Sequence, residues 1–334
     1  MKKLNLIIVL ILLLVAFSCT NKQSEVVVYT TVDQVFSEPI LKDFEKETGI
    51  KVKAVYDTEE TKSTGVLNRL IAEKNNPQCD LFWSGDPVRT IVLKSKGIAS
   101  VSRSKLAKDI DSTFKDPDAY WIGFSARARL LIYNKDSLKE EDVPQSILEL
   151  SKEKYKGKVA IANPLFGTTT FHIASLFSVL GDKKAEQFLS DLKLNKVVIA
   201  SSNGDVKKKV IKGEVFCGLT DTDDAFEALK EKHNVGIVFL DQKGIGSLIM
   251  PNTLNLIKNS PNPANAQKVL DYLISKETER KLASSCAQMP LHKGVEIPAD
   301  IPSLDHIVPM KIDYEEVSEK LEEIQNYLKD WTEN

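Results

Sequence analysis

The chain has 334 residues, 42% hydrophobic and 28% charged, with a formal net charge of −2. This is a globular composition, and the length suffices for two domains of ordinary size, each with its own core. The near-neutral balance, with only four His and three Trp, excludes a basic, aromatic-studded surface for nucleic acid.

In chain order, Lys2 and Lys3 precede LNLIIVLILLLVAFS, an uncharged apolar run. At roughly 15 residues it is short for a membrane span and suited to the core of a signal peptide. It closes on Ala16-Phe17-Ser18-Cys19, followed by polar Thr20-Asn21-Lys22-Gln23-Ser24. The pattern resembles a bacterial lipoprotein signal: residues 1–18 removed, Cys19 acylated, residues 19–25 a tether to a membrane. An uncleaved signal anchor is the other reading, and both place the folded part outside the cytoplasmic membrane. Cys79, Cys217 and Cys286 are then an odd number in an exported chain. One disulfide plus a thiol, or three buried thiols, both fit. The apolar settings of Cys79 and Cys217 point to small buried hydrophobes. With no Cys-x-x-Cys or His-x-x-x-His spacing, a structural zinc site is not expected.

From Glu25 strands and helices alternate. VVVYT (26–30), IKVKAVY (50–56) and DLFWS (80–84) read as strands. Between them, 39–48 carries Ile40, Leu41 and Phe44 on one helical face with Gly49 as stop, and 63–75 carries Val66, Leu67, Leu70 and Ile71. A short helix runs to Gly97. WIGFSARARLLIYN (121–134) reads as a crossing between lobes. A second series follows: strands at 157–164, 195–201, 214–220 and 235–240, helices at 168–180, 185–192, 206–212 and 223–232. GSLIMPNTLNLI (246–257) reads as the return crossing, followed by helices at 263–275 and 278–284 and an amphipathic tail helix at 314–331. The βαβαβ order predicts an α/β fold with mainly parallel sheets under flanking helices. Two such lobes, 26–121 plus 247–304 and 122–246 plus 305–334, would leave a cleft between them that closes on a ligand.

Ligands of parallel sheets gather at the carboxyl ends of strands. The turns there share a polar composition: TTVD (30–33), WSGDP (83–87), SSNGD (201–205) and TDTDD (220–224). They nominate Thr30, Thr31, Asp33, Ser84, Asp86, Asn203, Asp221, Asp223 and Asp224 as ligand-binding residues. In NPLFGTTTFHIASLFSVLG (163–181), Gly167, Thr168 and Thr169 open a helix whose free N–H groups and dipole suit an anion; plain N-capping by Thr is the alternative. Of the three acids in TDTDD, capping explains two, and the third needs a cation, amine or hydroxyl partner. Arg127 and Arg129 share a face at period two. They can clamp a carboxylate or phosphate, or pair with acids across the hinge. His172, alone within its helix, reads as structural. Enzyme signatures are missing from the sequence: no Gly-x-Ser-x-Gly, Gly-x-Gly-x-x-Gly, P-loop or His-Glu-x-x-His. No second catalytic carboxylate stands in a glycosidase context.

Six stretches carry a family resemblance: VVVYTTVDQVFSEPILKDFEKETGIKVKAVYDT, RLIAEKNNPQCDLFWSGDP, WIGFSARARLLIYN, YKGKVAIANPLFGTT, KGEVFCGLTDTDDAF and IMPNTLNLIKNSPNPANAQKVLDYLISKE. Together they make the chain resemble the extracellular solute-binding proteins of bacterial ABC importers, in the branch of periplasmic ferric-ion-binding proteins. The resemblance implies a two-lobed class II fold, no catalysis, no resident cofactor, a monomer, and delivery of the solute to an ABC permease and its ATPase. It puts ferric ion, with a synergistic anion, first as cargo. However, the Tyr-Tyr pair that holds iron in that branch is matched here by Asp223-Asp224. The branch's His after the first strand is matched by Asp33, and its Glu after the third falls near Gly85-Asp86. Metal ligation would therefore fall to Asp223 and Asp224, with an anion at 167–170. An organic phosphate or phosphonate, such as a sugar phosphate, is the alternative cargo. A periplasmic hydrolase and a surface scaffold are the readings from other classes.

Overall fold

The structure, a computed structural model, describes residues 24–57, 65–299 and 301–333. The signal segment 1–18 and Cys19 lie outside the described residues, and so does the start expected for the helix at 63–75. No helix of the described residues is long and apolar enough to cross a membrane.

The first half of the chain builds β1 (Glu25–Thr30), α1 (Gln34–Thr48), β2 (Lys51–Tyr56), α2 (Gly65–Ala72), β3 (Leu81–Ser84), α3 (Pro87–Ser95) and β4 (Ala99–Ser100). The long strand β5 (Ile122–Asn134) then leads to β6 (Val159–Ala162), α4 (Gly167–Leu180), α5 (Asp182–Leu194), β7 (Val198–Ala200), α6 (Asn203–Ile211), β8 (Cys217–Asp221), α7 (Thr222–Lys230) and β9 (Val235–Val238). Strand β10 (Ile249–Ile257) returns to the first lobe, which α8 (Pro263–Leu273) and α9 (Lys276–Cys286) complete, and α10 (Tyr314–Glu323) and α11 (Gln325–Glu333) end the chain.

The strands are ordered β2-β1-β3-β10-β5-β8-β6-β7. β1 pairs parallel with β2 and β3, and β6 parallel with β7 and β8. The two crossing strands, β5 and β10, run antiparallel to their neighbours and join the two parallel sets. Residues 122–128 of β5 pair with β10, whereas 129–133 pair with β8. The strand therefore changes lobes between Ala128 and Arg129. Pro251 faces Ala126 and Asn252 faces Phe124, so Ser125 is an extra residue in β5. It has a left-handed φ of 39°, as a bulge that bends a strand requires.

Each lobe has its own apolar core. In the first, Val26 and Val28 of β1 pack with Ile40, Leu41 and Phe44 of α1 and with Val269, Leu270 and Leu273 of α8. In the second, Ile161 and Leu219 pack with Phe171, Phe188 and Leu189, and Trp331 of α11 closes the edge. Helix α10 touches both α4 and α3, so the C-terminal segment spans the two lobes.

Two elements differ from the sequence reading. Helix α1 starts at Gln34 and takes Pro39 inside it, because the Asp33 carbonyl already accepts the Phe36 and Ser37 N–H groups. The expected tail helix is two helices with a turn at Ile324. The buried series Val317, Leu321, Ile324, Leu328 and Trp331 continues through that turn against the second core. Cys79, Cys217 and Cys286 are buried free thiols.

Candidate functional site

Strands β1 and β3 of one lobe and β6, β7 and β8 of the other point their carboxyl ends at a common cleft. It encloses a cavity of about 40 Å³ lined by Thr31, Gly85, Asp86 and Arg127 on one side and by Phe166, Gly167, Thr168, Thr169, Ser202, Asn203 and Asp221 on the other. A cavity needs roughly 10–15 Å³ of such space to hold one water. The cleft floor in this form therefore has room for a few waters.

Strand register determines its charged centre. Arg129 lies directly across from Asp221 in the β5–β8 ladder, and its Nη1 donates to Asp221 Oδ1 at 2.7 Å and to Asn203 Oδ1 at 2.9 Å. Thr168 Oγ1 donates to Asp221 Oδ2 at 2.9 Å and accepts from Asn203 Nδ2 at 2.8 Å. Two residues earlier on the same face, Arg127 reaches over the cleft floor. Its Nη2 donates to the Gly85 carbonyl at 2.7 Å, and its Nη1 is shared between Asp221 Oδ2 at 3.4 Å and Asp223 Oδ2 at 3.3 Å. Arg127 thus spans from the β3–α3 turn of one lobe to the β8–α7 turn of the other.

Burial and charge divide the acids. Burial pushes the Asp221 carboxyl up, but Arg129 and Arg127 outweigh it and hold the group below the ordinary carboxylate value. Asp223 goes the other way. Burial, with the charges of Asp224, Asp221 and Asp33, overrides Arg127 and pushes it to about 7. Asp224 is raised by burial and by Asp221 against the pull of Lys207, which stands 3.3 Å away. Burial and then Arg129 push His172 down to about 3. Its neutral Nδ1 accepts from Arg129 Nε at 3.5 Å. Where Asp223 holds its proton, the two guanidiniums share a single ionised direct partner, Asp221.

The α4 N-terminus completes the site. Its first residue, Gly167, has a φ of 60°, and Phe166 before it offers no side-chain cap. The opening N–H groups of this 14-residue helix are thus left for water or a ligand beside the Thr168 and Thr169 hydroxyls.

Of the residues nominated from sequence, Thr31, Asp86, Arg127, Gly167, Thr168, Thr169, Asn203 and Asp221 line the cavity. Thr30 and Ser84 do not. Their hydroxyl oxygens accept the Val32 and Asp86 N–H groups at 3.0 and 3.3 Å and shape the turns. Asp86 also caps α3 through the Arg89 N–H. Asp33 stands at the start of α1, close enough for its charge to raise Arg127, Asp223 and Asp224. Asp223 lies against Arg127 Nη1 but outside the cavity lining, and Asp224 turns to Lys207. Among the described residues, no group of three or more His, Cys, Asp or Glu side chains could hold a metal ion. Phe166 and Ser202 also line the cavity. Ser202 belongs to a turn already singled out by composition, but Phe166 had no signal in the sequence.

A family model described as bacterial extracellular solute-binding protein matches residues 40–307. The Synechocystis protein named iron uptake protein A1 is 27% identical over 311 residues, covering 86% of this chain and 84% of that one. A Salmonella typhi periplasmic protein, provisionally named for 2-aminoethylphosphonate binding, is 26% identical over 292 residues, covering 86% and 80%. Among solved structures, apo ferric-ion-binding protein A of Pasteurella haemolytica superposes with a TM-score of 0.83 at 25% identity, covering 92% of this chain and 98% of that one.

Proposed function

The chain belongs to the bacterial extracellular solute-binding proteins, and from that premise we propose that it captures a small organic anion, a phosphate ester or phosphonate, for an ABC importer. Solute-binding proteins of this family are non-enzymatic partners of a permease and its ATPase. The observation that carries the choice of cargo is the Arg127 guanidinium on the cavity wall beside the uncapped α4 N-terminus, with Arg129 buried behind them on Asp221. A forked guanidinium and helix N–H groups are the donors that phosphoryl oxygens accept best. The Thr169 hydroxyl, which only accepts from Arg129, supplies a further neutral donor, and Asp86 and Asp221 suit hydroxyl or amine groups on the rest of the solute. The cavity of about 40 Å³ requires the lobes to part before such a solute enters, with the bulge at Ser125 as the bending point. The Cys19 pattern supports a lipid anchor that holds the protein beside its permease. We read the site as one of capture without turnover; release of inorganic phosphate from a bound ester would overturn that.

A ferric ion carried as an anionic complex is the second reading, supported by relatives named for iron. Asp223 and Asp224 would then ligate the metal only after leaving Arg127 and Lys207, while a synergistic anion took the α4 N-terminus. Native mass spectrometry of the protein as purified separates the two. The proposal expects an added organic phosphate or phosphonate mass, and iron plus a small anion would replace it with the second reading.

A further inference from the structure

Arg127 stands against two buried carboxylates of the second lobe. Its Nη1 lies 3.3 Å from Asp223 and 3.4 Å from Asp221, and the charge of Asp33 also reaches it. Its Nη2 is fixed by the Gly85 carbonyl of its own lobe at 2.7 Å. Its Nε is buried with no hydrogen-bond partner, on a residue only 8% exposed. That unfilled donor has no structural payoff and costs roughly 1–3 kcal/mol by the usual penalty for an unpaired buried group. Gly85 is shaped to the same end, since a Cβ there would stand 2.9 Å from Arg127 Nη2. We propose that Arg127 is a resident cation that determines specificity: it occupies the place beside the Asp221 and Asp223 carboxylates, excludes bare metal cations from the cleft, and leaves anions as the accepted class.

The physical argument is one of charge and place. Hard multivalent cations bind clustered carboxylate oxygens. A fixed guanidinium among those oxygens repels the incoming ion and uses the lone pairs the ion needs. It also takes no release step, because an arginine does not deprotonate. This inference rests on the anion-capture reading and adds the element that rejects the opposite class.

The test uses the full chain and terbium(III) chloride as the probe, a hard trivalent cation read by its luminescence. Wild type is expected to bind terbium no better than its surface acids do. Arg127→Met is expected to gain a single site at least about 100-fold tighter, on the scale by which a neighbouring charge shifts ionic equilibria. Adding Asp223→Asn to that variant is expected to abolish the gain. Gly85→Ala, which displaces the guanidinium from its other side, is expected to open the same site more weakly. Arg127→Lys, which keeps a charge there, is expected to stay closed. Tight single-site terbium binding by wild type overturns the proposal, as does a gain in Arg127→Met that persists when Asp223 is neutralised, or no gain in a folded Arg127→Met. If Arg127→Met does not fold, Gly85→Ala and the wild type decide by the same outcomes. Wild-type affinity for a phosphonate is measured separately and tests the anion-capture reading on its own.

Discussion

Two buried charge clusters lie along the crossing strands, and they are built on opposite rules. At the hinge, Glu279 of α9 is saturated. Its Oε1 accepts the Ser125 and Leu291 N–H groups at 2.8 and 2.9 Å, and its Oε2 accepts the His292 N–H at 3.0 Å and faces His292 Nδ1 at 2.9 Å. His292 Nε2 faces the Leu106 carbonyl at 2.8 Å. Both ring nitrogens meet acceptors, which calls for the doubly protonated ring. Burial opposes that form, yet the Glu279 bond and the Leu106 carbonyl outweigh it and raise the His292 pKa. Around Arg127 in the cleft, by contrast, partners are shared or missing. Arg127 Nη1 divides between two acids at long range, its Nε has no partner, and Asp223 is pushed to about 7. A saturated cluster holds a fold together, and an unsaturated one of similar burial waits for a ligand.

That contrast can be broken most directly by deleting the hinge acid. Glu279→Ala strands a buried imidazolium and three backbone N–H groups, and is expected to cost about 3–5 kcal/mol of unfolding free energy in a denaturant titration. A loss below about 1 kcal/mol would show that saturation does not mark structural weight. Next in size, Arg129→Met is expected to weaken solute binding by about 100-fold, roughly 2.7 kcal/mol. Calorimetry would show unchanged affinity if Arg129 only neutralises Asp221. Thr168→Val removes one hydroxyl at the cavity wall and is expected to weaken binding about tenfold, with little change in melting temperature. A large melting shift would make Thr168 structural instead.

The remaining predictions concern pH dependence. Asp223 binds its proton more tightly when folded, so its contribution to stability falls as pH rises from its ordinary 3.8 to about 7. His292 is also raised, so its contribution is complete below 6.5 and is lost as pH climbs through its higher folded value. Asp223→Asn should flatten the lower window and His292→Gln the upper. Anion affinity should weaken as Asp223 ionises near pH 7, and that dependence should vanish in Asp223→Asn; an unchanged profile would remove Asp223 from the site's charge balance.

Much of this arrangement was legible in the sequence because it rests on period and punctuation. Alternating apolar runs, Gly49 as a stop, and polar turns after strands sufficed to predict the α/β order and the turns that meet at the cleft. The crossing strand at 121–134 was legible through its two arginines on one face. What the sequence did not show depends on distance between segments remote along the chain. The Arg129–Asp221 register pair, the reach of Arg127 to the Gly85 carbonyl and the placement of Asp223 against Arg127 Nη1 have no local signature. Thr30 and Ser84 have the same composition signal as Thr31 and Thr168, and only the hydrogen-bond pattern separates a hydroxyl that shapes a turn from one that faces the cavity. Helix α1 was read too short because Pro39 suggests a first helical position, whereas the Asp33 carbonyl starts the helix earlier.

The most direct test of the central claim is a calorimetric titration of wild type and Arg129→Met with 2-aminoethylphosphonate, a sugar phosphate and ferric chloride held soluble by a weak chelator. Anion capture between the lobes predicts one saturable site for at least one of the two phosphorus compounds in wild type, strongly weakened in Arg129→Met, and no site for the metal. Saturable ferric binding that is indifferent to Arg129, with no heat from either anion, would contradict it.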